Sequence, residues 1–171
     1  MALIKENITY VDGYNVINKW PKLREAARES LETAREDLIE DLAEYSFLSG
    51  EKMVIVFDAY NLDRLKETTI EKYGMIIVFT KRFQTADTYI EAELARVARR
   101  HNVKVVTDDG QVQNMALVKG ASRMTALELK ADLDILRSKI KKTKKANFNE
   151  NYDAYQALKA KLDELKIDLD D

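Results

Sequence analysis

Tyr10-Val11-Asp12-Gly13-Tyr14-Asn15 joins a short apolar run to an acid, a glycine and a carboxamide. Ile8 to Val11 read as a buried strand, and Gly13 permits the tight turn that precedes a helix. Asp12 then stands at the carboxyl-terminal lip of that strand. Open α/β sheets bind ligands in the crevice outside the carboxyl ends of their strands, so later strands should also end in acids. They do. Val54-Ile55-Val56-Phe57 runs into Asp58, Ile76-Ile77-Val78-Phe79 leads through a loop to Asp87, and Val103 to Thr107 runs into Asp108 and Asp109.

The segments between these strands read as crossovers. Ser30 can cap a helix with Leu31, Ala34, Leu38, Leu42 and Tyr45 on its inner face, and Gly50 ends it. Met53 to Phe57 is apolar at every position, as in a parallel sheet covered on both faces. Thr85 can cap a helix whose inner face is Ile90, Leu94, Val97 and His101, and residues 109–118 suggest another. Thr125 and Glu128 have capping-box spacing ahead of Leu129, Leu133, Leu136 and Ile140. Val16 to Arg28 reads as a helical turn and a loop, and Tyr60 to Thr69 as a polar connection with one helical stretch around Leu62 and Leu65. Strands alternating with helices predict a three-layer α/β/α sandwich with a mainly parallel sheet of four or five strands. One domain over residues 1–146 is expected. Beyond the linker Asn147 to Asn151, a last helix carrying Tyr155, Leu158, Leu162 and Leu165 and an acidic tail, in residues 147–171, are expected to pack on it.

At 171 residues the chain can bury a proper core without staples. A formal net charge of -2 argues against coating nucleic acid by bulk charge, so any RNA or DNA contact must be local. The absence of cysteine excludes a disulfide scaffold, a thiolate zinc site and a cysteine nucleophile, and a single histidine excludes a multi-histidine metal site. The N-terminus lacks a basic region followed by an apolar stretch, and no run is long enough to span a membrane. These features point to a cytoplasmic protein.

Each aspartate alone has an ordinary explanation. Asp87 falls in the first turn of its helix, where the dipole favours negative charge, and Asp58 and Asp109 sit in turns that favour aspartate. Jointly they repel one another and raise each other's pKa unless a cation lies between them. Mg²⁺ or Mn²⁺ prefers oxygen ligands, and one or two such ions can activate a water and stabilise a leaving oxygen in phosphodiester hydrolysis. No Walker loop is present, and Tyr14 stands where an aspartyl-phosphate enzyme of the haloacid dehalogenase type needs its second acid. A response-regulator receiver stays open on pattern alone.

Tyr10 to Ile17, Val56-Phe57-Asp58-Ala59, Val78 to Lys81 with Thr85-Ala86-Asp87 and Ile90-Glu91, Val106-Thr107-Asp108-Asp109 and Gly120-Ala121-Ser122-Arg123 together resemble the YacP-like NYN domain family of PIN-like ribonucleases. The resemblance implies a PIN-like fold and a metal-dependent endoribonuclease cleaving single-stranded RNA, with mRNA on the translating bacterial ribosome as substrate and mRNA decay as outcome. Asp12 and Asp87 match the family's strongest metal-ligand positions, and Asp58 matches the acid after the second strand. The family more often has Ser-Asp where this chain has Asp108-Asp109, so either is a candidate for the last ligand. Asn15 would hydrogen-bond near the metal or scissile phosphate. Glu91, one helical turn beyond Asp87, would act through a water.

Other candidates come from the residues themselves. Lys81, Arg82 and Phe83 can hold phosphate and stack a base, or form a solvated loop. Lys139, Lys141, Lys142, Lys144 and Lys145 can touch ribosomal RNA, or complement the helix dipole. Trp20 and Tyr14 can stack bases, though large aromatics beside strand ends are more often packing. His101 is read as closing its helix. Two other readings remain: a non-catalytic RNA- or ribosome-binding PIN-like module, and a toxin-like PIN ribonuclease.

Overall fold

A computed structural model of the chain describes residues 4–59, 66–146 and 156–161, with residues 143–146 as backbone alone. Among these, β1 (Asn7–Asp12), β2 (Lys52–Phe57), β3 (Thr68–Lys72), β4 (Met75–Phe79), β5 (Asn102–Val106) and β6 (Ser122–Met124) form one six-stranded sheet ordered β3-β4-β2-β1-β5-β6. All neighbours pair in parallel except β3 with β4. The chain builds outward from β1 to β2 and β4 on one side, then to β5 and β6 on the other. Strand order therefore reverses at β1, and the carboxyl ends of β1 and its neighbours border the crevice where such sheets bind ligands.

The helices are α1 (Gly13–Lys19), α2 (Pro21–Glu29), α3 (Leu31–Ser49), α4 (Ala86–Val97), α5 (Gly110–Val118) and α6 (Ala126–Ala146), with a short helical stretch, α7, at 156–161. Ser30 accepts from Thr33 N–H at 3.2 Å, and Gly50 closes α3 at φ 74°, a left-handed conformation that glycine adopts without a Cβ penalty. Thr85 caps α4, and Thr125 and Glu128 cap α6 reciprocally, at 2.7 and 3.1 Å. The five apolar residues Met53 to Phe57 are all buried, packed on one sheet face with Ile90 and Leu94 of α4 and on the other by α1 and α3.

Several elements depart from the sequence reading. The segment Val16 to Arg28 is two helices rather than a turn and a loop. Pro21 occupies the first turn of α2, where its missing N–H costs no hydrogen bond, and Trp20 separates the two helices. Gly13 does not form a turn: α1 starts on it directly, with Asp12 as its N-cap. A Cβ there would lie 2.4 Å from Phe57 Cε1, so glycine is required by close approach. The sheet exceeds the expected four or five strands by β3, an exposed edge strand, and the three-residue β6. Tyr73 and Gly74, at φ 53° and 75°, make the two-residue turn between β3 and β4. His101 lies beyond the end of α4, and its Nδ1 accepts from Glu6 N–H at 3.3 Å.

The chain divides into two compact units, Met1–Ala131 and Asp132–Asp171. In the second, Leu133 is buried, Leu136 and Ile140 are half-buried, and Ser138 Oγ donates to Asp134 O at 2.9 Å. The expected helical stretch around Leu62 and Leu65, the linker Asn147 to Asn151, Tyr155, Leu162, Leu165 and the acidic tail lie outside the described residues. No helix among the described residues is long and apolar enough to cross a membrane.

Candidate active site

A cleft of about 630 Å³ opens at the carboxyl ends of the strands. Asp12, Asp58 and Asp87 line it with Tyr14, Asn15 and Arg35. Each acid arrives from a different element: the end of β1, the residue after β2, and the first turn of α4. The buried hydroxyl of Thr80 fixes this edge. It donates to Gln84 O at 2.7 Å and accepts from Ala59 N–H at 3.0 Å, tying the residues after β2 to the loop that leads into α4.

Burial pushes the Asp12 carboxyl up to about 6, with the negative charges of Asp87, Asp58 and Asp109 adding to the effect and the N–H of Asn15 opposing it. Asp87 is also raised, by burial first and then by Asp109 and Asp58. The acids therefore bear on one another electrostatically.

Asp109 and Asp108 differ in what they do. Asp109 Oδ1 caps α5, accepting from Gln111 N–H at 2.8 Å and Val112 N–H at 3.4 Å. Asp108 Oδ2 is buried with no hydrogen-bond partner. The backbone N–H of Asp108 donates to Asn15 Oδ1 at 3.0 Å, while Asn15 N–H donates to Asp12 Oδ1 at 3.4 Å. Asn15 thus links the end of β1 to the loop after β5.

Among the described residues, no three carboxylate or imidazole groups are arranged as a ready-made metal cage. The donor set nevertheless fits Mg²⁺ or Mn²⁺. It is all oxygen, and the open spacing of Asp12, Asp58 and Asp87 suits an ion that keeps several waters and takes one or two carboxylates, while Asp108 and Asp109 are not among the residues that line the cleft.

The other sequence candidates are dispersed. Glu91 is exposed one turn beyond Asp87 and does not line the cleft. Lys81, Arg82 and Phe83 are exposed in the loop before α4, with the Arg82 guanidinium 4.9 Å from the Phe83 ring centroid. Trp20 is buried and donates from Nε1 to Ala126 O at 2.7 Å, so it is a packing residue. Lys139, Lys141 and Lys142 are exposed on α6. Arg35 of α3 was not singled out by sequence. Nothing in the periodicity of α3 separates it from the other charged residues of that helix, and only the packing of α1 beside α3 brings it to the cleft.

An α/β/α sandwich whose strand ends gather aspartates in one cleft defines a PIN-like domain, the fold of a class of nucleases. The profile of the YacP-like NYN domain matches residues 9–168, and the chain belongs to that family. It is 33% identical over 138 residues, 80% of each chain, to a Bacillus subtilis (strain 168) protein described as uncharacterized protein YacP. It is also similar to crystal structures of Rae1 (YacP) from Bacillus subtilis. A single-substitution mutant matches at 29% identity and a TM-score of 0.71, over 91% of this chain and 89% of that one. A second structure matches at 30% identity and a TM-score of 0.66, over 96% and 97%.

Proposed function

We propose that this chain is a metal-dependent endoribonuclease that cuts single-stranded RNA, with mRNA presented by the translating ribosome in the cytoplasm as its substrate. One observation carries the reading: Asp12, Asp58 and Asp87 line a single cleft at the switch point of the sheet, and the charge of Asp109 bears on both Asp12 and Asp87. Mutually repelling acids raise each other's pKa, and a cation among them relieves that repulsion. Family membership supports nuclease chemistry and extends the proposal to the ribosome.

Asp12, Asp87 and either Asp108 or Asp109 would hold Mg²⁺ or Mn²⁺, with Asp58 assisting. A bound ion would polarise the scissile phosphate and supply a nucleophilic water at neutral pH. The chain's own contribution is positional. Asp12 is held as the N-cap of α1, Asp87 by the Thr80 and Thr85 contacts around the start of α4, and the β5 loop by Asn15. Lys81 and Arg82 would contact the RNA backbone entering the cleft, and Glu91 would act through a water.

The test is cleavage of a translated mRNA with and without ribosomes, in Mg²⁺, Mn²⁺ or EDTA, comparing wild type with Asp12→Asn and Asp87→Asn. Metal-dependent cutting lost in both variants, leaving 5′-phosphate and 3′-hydroxyl ends, is the expected result. Wild-type protein that binds ribosomes or RNA and never cuts would overturn it.

A further inference from the structure

Arg35 is the one cation among the described residues that lines the aspartate cleft. Its side chain is half-buried and held from two directions: Nη1 donates to the Tyr14 hydroxyl at 3.1 Å, and the guanidinium carbon lies 5.9 Å from the Phe79 ring centroid. These supports are themselves packed. Tyr14 and Phe57 meet at 5.2 Å between ring centroids, and Phe57 and Phe79 stack at 5.4 Å. A hydroxyl and an aromatic face orient a guanidinium without neutralising it. Among the described residues no carboxylate forms an ion pair with Arg35, although Asp12, Asp58 and Asp87 line the same cleft.

An arginine that serves only the fold normally finds a carboxylate. Here the planar fork is preorganised and its charge is left to the cavity. The ligand that suits it is an anion with two oxygens at fork spacing, and a phosphodiester supplies them. We infer that Arg35 binds the non-bridging oxygens of an RNA phosphodiester next to the scissile one, with Tyr14 and Phe79 fixing the guanidinium. The inference rests on the nuclease reading for placing RNA in this cleft. It makes Arg35 a substrate-positioning residue and runs the strand along the side of the cleft formed by α1 and α3. Tyr14 then acts through Arg35, not as a stacking platform for a base.

The test is binding of a single-stranded oligouridylate in EDTA, where no cleavage intervenes, as salt is raised from about 50 to 200 mM. Each phosphate contact to a single strand contributes about 0.7 to the slope of log affinity against log salt. Arg35→Gln is expected to weaken binding about tenfold at low salt and to flatten the slope by about 0.7. Arg35→Lys keeps the slope but loses part of the affinity, because the ammonium lacks the fork. Tyr14→Phe keeps the slope and weakens binding less than Arg35→Gln. An arginine that merely braced Tyr14 would lower the melting temperature and leave the slope unmoved. Unchanged affinity and slope in Arg35→Gln, or no oligouridylate binding by wild type at low salt, overturns the inference. Cleavage in Mg²⁺, followed in parallel, separates the two readings. Binding through Arg35 without any cutting removes the nuclease reading alone, and cutting with an unchanged KM in Arg35→Gln removes this one alone.

Discussion

Asp12→Asn should stabilise the metal-free protein, although it removes the most central acid of the cleft. The Asp12 carboxyl titrates near 6 in the folded chain against an ordinary 3.8. The folded state therefore keeps a proton that the unfolded state has already released. Below pH about 4 both states are protonated and burial of the acid costs little. Stability then falls as pH rises through 6, where the folded chain must ionise. A shift of about two units corresponds to about 3 kcal/mol, and solvent screening of a partly exposed cluster reduces this to about 1–2 kcal/mol. Asparagine carries no charge and still offers an oxygen to the Asn15 N–H, so the N-cap of α1 survives. In EDTA at pH 8 the variant should melt about 2–8 °C above wild type, with the gap closing by pH 4. Mg²⁺ should reverse the order by stabilising wild type and not the variant. Thermal denaturation followed by circular dichroism across that pH range checks this. A variant that melts at or below wild type in EDTA at pH 8 would refute the electrostatic account of the cleft.

Gly13→Ala drives a methyl into the buried Phe57 ring and should cost about 1–3 kcal/mol, read as a lower denaturation midpoint. Thr80→Val keeps the shape but leaves Ala59 N–H and Gln84 O unpaired at the site edge. It should cost about 1–3 kcal/mol and weaken Mg²⁺ binding measured by calorimetry, because the loop carrying Asp87 loosens. Trp20→Phe deletes the 2.7 Å bond to Ala126 O and should lose about 1–2 kcal/mol of stability while leaving oligouridylate binding unchanged.

The sheet and the acidic edge were legible because β1, β2, β4 and β5 are apolar runs and Asp12, Asp58 and Asp87 follow strand ends at short distance. The caps at Ser30, Thr85 and Thr125 were legible because their side chains act locally, within three residues. What stayed hidden depended on contacts distant in sequence. The segment after Val16 looked loop-like because Pro21 is ordinarily a breaker, yet at the start of α2 it is a favourable residue. β3 has exposed residues on both faces, so it carries no alternation for a period of two to detect. The glycine at 13 was read as conformational when the reason is steric, supplied by Phe57. Arg35 could not be found before α1 was known to be a helix, since the partner that orients it is Tyr14.

The bond between Asn15 and Asp108 spans 93 residues. β1, which carries Asp12, sits between β2 and β5, so its second edge stays unpaired until the chain beyond Asn102 has left the ribosome. Contacts of such long range form late, after the local helices and the first strand pairs. The edge that carries Asp12 is therefore incomplete on a nascent chain that stops short of β5, and β1 gains its second neighbour only after translation has passed the midpoint. The strand that carries Asp12 is thus made first and is fully paired only once β5 has been made.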